Sequence, residues 1–264
     1  MIITQLKEGL GNQLFQYFFT RSLGVEDYKF DISFYGSNGS RKLDLIDFPK
    51  FNLKFLDSSK GVLEDLKYIK DEFQFLNINI DNNKNYYFDG YWQNKLYLDK
   101  INDLVIQEMQ PEEKLINYIN KKYAFLKEDC VSIHVRRTDY MHLSNYYYLL
   151  DENYYNQALS FFDKNVNIAV FSDDIEWCKN NLKYKNIHFI EESARVDMII
   201  MSLCKSNIIA NSTFSFWGAY LNANENKKII CPQKWLKESY SLLISNQKEP
   251  DCAKNLIKDD WIRI

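Results

Sequence analysis

The stretch SIHVRRTDY at residues 132–140 delivers two adjacent guanidinium groups, Arg136 and Arg137, after an apolar run. In that run Val131, Ile133 and Val135 alternate with Ser132 and His134. Paired cations at the end of a buried strand are costly unless an anion meets them, and arginine's planar fork of donors matches phosphate oxygens. Arginine cannot serve as a general base, so the chemistry indicated is diphosphate binding and charge neutralisation. Asp139 has the chemistry of a base, or equally of a salt-bridge partner that holds the arginines. An isolated arginine pair is commonly structural; the strand end favours function here. His134 suits a buried structural role as well as a ligand contact.

Two further segments carry polar groups out of apolar runs. In FSDD, Phe171–Asp174, one aspartate can cap the following helix while the other accepts hydrogen bonds from a nucleobase. A guanine edge, with its N1–H and N2–H₂ donors, suits such a carboxylate. In IIANSTFSFWGAYLN, the apolar Ile208–Ala210 runs into Asn211, Ser212, Thr213, Phe214 and Ser215. Hydroxyls and backbone N–H groups at a strand-to-helix turn form a natural phosphate cradle, although capping needs only one of them. Trp217 reads as helix core. The N-terminal turn GLGNQ resembles part of a dinucleotide fingerprint, but Leu14 stands at the third glycine position, so the match is weak. Gly9 and Gly11 can instead admit a close backbone approach, with Asn12 and Gln13 directed into a cleft.

The elements that must position these groups are clearest in the C-terminal half. Strand-like runs near 130–136, 167–172, 186–190, 206–210 and 228–231 alternate with helical patterns near 152–164, 174–182 and 214–223. Val196, Ile199, Ile200 and Leu203 mark one face of another helix. Alternating strands and helices predict a parallel, doubly wound α/β sheet, whose ligands sit beyond the carboxyl ends of the strands. That rim gathers Arg136, Arg137, Asp173, Asp174 and residues 211–215. The chain opens with a strand at 1–6 and an apolar helix, LFQYFFTRSL. Residues 30–90 are expected to form irregular strands and loops with a helix near 60–70; helices near 93–109 and 112–123 then lead to a domain boundary around 125. We expect two Rossmann-like lobes, 1–125 and 126–264, facing each other across a cleft.

Composition excludes several classes. At 264 residues and a formal net charge of −3, no global basic field attracts nucleic acid. The high count of 19 Tyr and 18 Phe suits sugar binding but equally reflects compositional drift. Five widely spaced cysteines, without zinc spacing, read as reduced thiols of a cytosolic protein. No signal peptide is expected, and no apolar run is long enough to cross a bilayer. The sequons at Asn38 and Asn211 are not read as glycosylation sites. GxxxxGK[ST] is absent, which disfavours a P-loop NTPase. Asp-x-Asp is also absent, which weakens a metal-chelated diphosphate site and leaves neutralisation to arginine.

Together GLGNQLFQYFF (9–19), DGYWQNKLY (89–97), SIHVRRTDY, FSDD and LCKSNIIANSTFSFWGAYLN (203–222) resemble the bacterial α1,2-fucosyltransferase family. The blocks keep the family's order and span most of the chain; residues 25–85 carry no usable resemblance. The resemblance implies an inverting, metal-independent transferase of GT-B architecture with no cofactor. It would move L-fucose from GDP-β-L-fucose to the 2-hydroxyl of a β-galactoside. The C-terminal lobe (126–264) would hold the donor and the N-terminal lobe (1–125) the acceptor. The diphosphate would meet Arg136 and Arg137, guanine Asp173 or Asp174, and the cradle Asn211 to Ser215, with His134, Gly11 and Gln13 also on the donor. Asn12 would lie near the reacting centre, with Asp139 as the candidate base. Phe216 and Ser206 stand where the family often has tryptophan and histidine. Asp197 and Arg195 begin a helix the family often makes acidic; capping or mutual pairing explains them as well as function does.

The implied acceptor is a galactose-terminated oligosaccharide or lipid-linked glycan of O-antigen biosynthesis, its pocket drawing on Tyr91, Trp92 and Gln93. The implied setting is cytoplasmic, with peripheral contact at the inner membrane face. Other linkages, protein acceptors, a non-catalytic nucleotide-sugar or glycan binder, and a nucleotide-dependent dehydrogenase remain as alternatives.

Overall fold

The computed structural model describes residues 1–37, 41–61, 64–237 and 252–264. Contacts divide the chain into two compact units, Met1–Met109 and Gln110–Ile264. The segment 110–125 therefore groups with the second unit, ahead of the boundary expected near 125. The sequon at Asn38 lies outside the described residues.

The first unit is built on a five-stranded sheet of order β3-β2-β1-β5-β4. Its strands are β1 (Ile2–Gln5), β2 (Tyr28–Asp31), β3 (Phe55–Leu56), β4 (Leu66–Lys70) and β5 (Asn85–Asp89). Every pairing is parallel. Helix α1 (Leu10–Ser22) follows β1 and is buried from Gln13 through Thr20. A helix this apolar must be enclosed on most sides. Tyr17 stacks on Phe51 at 4.2 Å and Phe19 on Trp92 at 3.9 Å. The short α2 (Ser33–Ser37), α3 (Lys95–Asp99) and α4 (Asn102–Met109) complete the unit.

A helix near 60–70 is not formed: a 3₁₀ turn occupies Ser58–Lys60, and Leu66–Lys70 is a strand. Those five residues pair in continuous register from Leu66↔Asn85 to Lys70↔Asp89. The ladder outweighs local propensity, which is weak in a window this short. The helical pattern at 93–109 divides into α3 and α4.

The second unit carries a six-stranded parallel sheet of order β11-β10-β9-β6-β7-β8. Its strands are β6 (Cys130–Val135), β7 (Asn167–Ser172), β8 (Ile187–Ile190), β9 (Ser206–Ile208), β10 (Ile229–Cys231) and β11 (Ile262–Arg263). All six residues of β6 are buried, as expected of a strand flanked on both edges and covered on both faces. The helices are α5 (Glu113–Lys122), α6 (Thr138–His142), α7 (Glu152–Leu159), α8 (Ile175–Asn181), α9 (Ala194–Leu203), α10 (Thr213–Tyr220) and the short α11 (Cys252–Leu256). The α9–α10 contact is close enough that a Cβ on Gly218 would fall 2.7 Å from Met201 Cβ.

Cys130, Cys178, Cys204 and Cys231 are buried free thiols. Among the described residues no helix is long and apolar enough to cross a membrane.

Candidate active site

Three segments that the sequence separates meet at the carboxyl ends of β6, β7 and β9. Arg136 leaves β6 and lodges between two carboxylates, with Nη2 donating to Asp139 Oδ2 at 2.5 Å and Nη1 3.1 Å from Asp173 Oδ2. Burial works against its charge, but Asp173 and Asp139 more than offset this and hold the guanidinium above its ordinary pKa. Its Cζ also lies 5.7 Å from the centroid of the Tyr140 ring. The Tyr140 hydroxyl donates to Asn211 O at 2.8 Å, joining α6 to the turn before α10.

The arginine pair does not converge. Arg137 turns away to lie over Trp177, with Cζ 4.1 Å from the ring centroid, and its Nε is 3.5 Å from Asp174 Oδ2. Successive residues leaving a strand point to opposite faces, so adjacency in sequence separates these two charges in space. Asp174 also caps α8, its Oδ1 accepting from Trp177 N–H at 3.1 Å.

Asp173 performs the corresponding service for α6. It accepts the N–H groups of Arg137 and Thr138 at 2.9 and 3.2 Å and the Thr138 hydroxyl at 2.5 Å. With Arg136 beside it as well, this carboxylate is committed to protein donors. The nucleobase role expected of it would require those bonds to be given up.

The turn before α10 is built mainly by its own polar groups. Ser212 Oγ caps the helix by accepting Phe214 N–H at 3.3 Å, and the buried Ser215 hydroxyl donates back to Ala210 O and Ser212 O. Asn211 Nδ2 donates to Tyr148 O and Trp235 O, both at 2.9 Å. The hydroxyls at Ser212 and Ser215 read from the sequence as a cradle are thus engaged within the turn, and what the turn offers an anion is the dipole at the N-terminus of α10. His134 sits beneath, 5% exposed and 5.4 Å from the Phe214 ring. Burial, reinforced by Arg136, pushes its pKa down to about 3, so it is a neutral imidazole.

Asp197, in the first turn of α9, is the carboxyl on this rim whose acidity departs furthest from normal. Burial, with Glu192 and Glu191 nearby, raises it to about 7 against an opposing bond from Glu192 N–H. It does not pair with Arg195, which binds Glu112 instead. Perturbed carboxyls of this kind cluster at functional sites. Sequence reasoning left Asp197 undecided because its burial depends on α9 packing. It missed Thr138, Tyr140 and Trp177, whose contacts join segments far apart in the chain.

In the first unit, the turn from β1 into α1 differs from the glycine-based expectation. The left-handed residue is Glu8, at φ 66°, while Gly9 is extended. Gln13 is fully buried and not directed outward. Its Nε2 donates to Glu8 O and Lys42 O, and its Oε1 accepts the N–H groups of Asp44 and Leu45. Four unmet backbone groups outcompete any ligand for this amide. Gly11 is enclosed in the first turn of α1, and Asn12 beside it accepts from Gln93 Nε2 at 2.8 Å. Trp92, 1% exposed, is core.

No group of three or more His, Cys, Asp or Glu among the described residues is placed to hold a metal ion. Residues 46–249 match glycosyl transferase family 11. The chain is 29% identical to the O-antigen biosynthesis glycosyltransferase WbnK of Escherichia coli, over 98% of its own length and 99% of the relative's. It is also 29% identical to an E. coli α1,2-colitosyltransferase, over 90% and 93%. Over a shorter stretch, 36% of this chain and 31% of the relative, it is 30% identical to the gorilla galactoside α-(1,2)-fucosyltransferase 2. Among solved structures, the α1,6-fucosyltransferase NodZ soaked with GDP-fucose superposes with a TM-score of 0.53, at 13% identity, over 83% of this chain and 91% of that one. At that identity the likeness speaks to the fold.

Proposed function

The chain belongs to glycosyl transferase family 11, and from that premise we propose that it transfers L-fucose from GDP-β-L-fucose to the 2-hydroxyl of a β-galactoside, with inversion. The second unit is the donor-binding part in this reading and the first unit the acceptor side. The observation that carries it is the Arg136 guanidinium just past the end of central strand β6, whose neighbour β9 leads into α10.

As the glycosidic bond to GDP loosens, negative charge grows on the β-phosphate and the sugar acquires oxocarbenium character. Arg136 and the positive end of the α10 dipole stabilise that charge. Donor binding must draw Arg136 from Asp139 or Asp173, so part of the ion-pair energy opposes binding. A diphosphate, with more charge than either carboxylate, offsets it. Arg137 contributes positive potential and anchors α8. Neutral His134 supports the rim from below. Guanine's N–H donors suit Asp197, whose carboxyl is less engaged than that of Asp173.

The relatives' names support a deoxy-sugar donor and an O-antigen acceptor. A cytoplasmic enzyme working at the inner membrane face without a metal fits them. The colitosyltransferase relative favours one second reading, the same inversion with a colitosyl donor. A GDP-release assay tests both: GDP-fucose and a GDP-linked colitosyl donor, each against a β-galactoside panel, with and without EDTA. GDP release from GDP-fucose and an α1,2-linked product support the first reading, release only from the colitosyl donor supports the second, and loss in EDTA contradicts a metal-free reaction.

A further inference from the structure

At the rim of the second sheet opposite Arg136, the amino-terminal ends of β6, β7, β9 and β10 surround a cavity of about 420 Å³. Small-ligand sites run from roughly 300 to 1,000 Å³. The five residue rises of β6 put about 17 Å between the two rims, so this cavity is no part of the candidate active site.

Its frame is fixed by the fold itself. Asn167 N–H donates to Asp129 O at 3.1 Å and Lys205 N–H to Cys130 O at 2.8 Å, which locks the entries of β7 and β9 onto that of β6. Ser206 Oγ accepts Lys228 N–H at 2.9 Å and brings in the start of β10. Lys228 Nζ donates to Phe161 O at 3.1 Å and lies 5.8 Å from the Phe162 ring centroid, which fastens the turn after α7 as the remaining wall. A cavity held in this way loses little entropy when it is filled.

The lining selects an uncharged ligand rich in hydroxyl groups. Phe161, 37% exposed, supplies apolar surface together with Phe162, Val131 and Val166. Both lysines are engaged by the protein, Lys205 with the two oxygens of Asp129 at 2.7 and 2.6 Å and Lys228 with Phe161 O. The carboxylates of Glu128, Asp129 and Asp163 outnumber them, so the local field does not favour a phosphate. Exposed side chains of Asp163, Asn165 and Asn226 add donors and acceptors at the mouth. A pyranose matches this combination. Its C–H face packs on the negative face of an aromatic ring, and each of its hydroxyls both donates and accepts.

We propose that this cavity is a second, non-catalytic site that takes one neutral sugar unit of a glycan. The proposal goes beyond the transfer reaction and stands whether or not the other rim moves fucose. A glycan bound here through one unit stays near the protein, which raises its effective concentration at any second site.

Methyl-resolved NMR of valine-labelled protein tests this, because Val131 and Val166 line the cavity. Lactose is titrated into wild type, Phe161→Ala and Phe161→Tyr, the other valine methyl signals reporting that each variant is folded. We expect saturable shifts at Val131 and Val166 in wild type and Phe161→Tyr, and ~10-fold weaker lactose affinity in Phe161→Ala. GDP release from GDP-fucose at saturating lactose should stay within ~2-fold of wild type in both variants. Absence of saturable shifts at those methyls, or undiminished affinity in folded Phe161→Ala, overturns the proposal. So do shifts there with guanosine or inorganic phosphate and none with lactose, or a collapse of turnover in folded Phe161→Ala. Wild-type protein that releases no GDP from GDP-fucose overturns the functional reading alone, since the lactose titration decides this site independently.

Discussion

Arg136 and Asp139 are joined by a 2.5 Å hydrogen bond within the first turn beyond β6, while Asp173 engages the other terminal nitrogen of the same guanidinium at 3.1 Å. The proposed phosphate-binding cation is thus held in place by two carboxylates before any substrate is considered.

Arg136→Ala should lower turnover at saturating GDP-fucose by ~10²–10³, the usual cost of losing one donor to developing charge. Asp139→Asn should weaken the orientation of Arg136, lower the melting temperature, and leave the shape of the pH–rate profile unaltered. A displaced acidic limb in that profile would instead identify Asp139 as the base.

His134 is neutral in the fold, with a pKa of about 3 against an ordinary 6.5. A depressed folded value means that the stability it contributes is fully present above pH 6.5 and drains away as pH falls toward 3. Near pH 5 the penalty is about 2 kcal/mol. His134 Nδ1 has no hydrogen-bond partner among the described residues, so His134→Phe leaves no orphaned partner there. Denaturant titrations should show a smaller loss of stability between pH 7 and 4 in this variant than in wild type.

Asp197 has the opposite sign. Its folded pKa of about 7 lies above the ordinary 3.8, so its proton-linked stability is complete below 3.8 and lost as pH rises through 7. Asp197→Asn should therefore exceed wild type in stability at pH 8, on the order of 1 kcal/mol after discounting for solvent screening. If the carboxylate takes the guanine donors, calorimetry should find wild-type GDP affinity falling below pH 7, and a weaker, pH-flat affinity in the variant.

Gly90→Ala places a methyl group on the Cβ of Asp71. Backbone must move to accept it, which costs ~1–3 kcal/mol. A lower denaturation midpoint with unchanged slope would register the cost. Because Tyr91, Trp92 and Gln93 follow directly, turnover should fall in the same variant while GDP affinity stays near wild type.

The doubly wound sheet of the second unit was legible because its strands are short apolar-rich runs that alternate with segments long enough to show a helical period. The helix expected near 60–70 shows the limit: Leu66–Lys70 gains its strand identity from β5, a partner in another part of the chain. Gln13 shows the same limit at a side chain. Its polar amide invites a ligand role on paper, yet four backbone groups between Glu8 and Leu45 absorb it.

By itself, the sequence determined which chemistry is present: Arg136 and Arg137 at a strand end, aspartates after the neighbouring strand, a capped turn at 211–215, and motif blocks whose resemblance agrees with the family match. Residue type and local period are properties of short segments, and they survive without coordinates. Only the tertiary structure decided the division of labour. It sent Arg137 onto Trp177, committed Asp173 to α6, raised Asp197 by burial, and joined Gln93 to Asn12. Each outcome depends on the direction in which a side chain leaves the backbone and on which distant segment meets it.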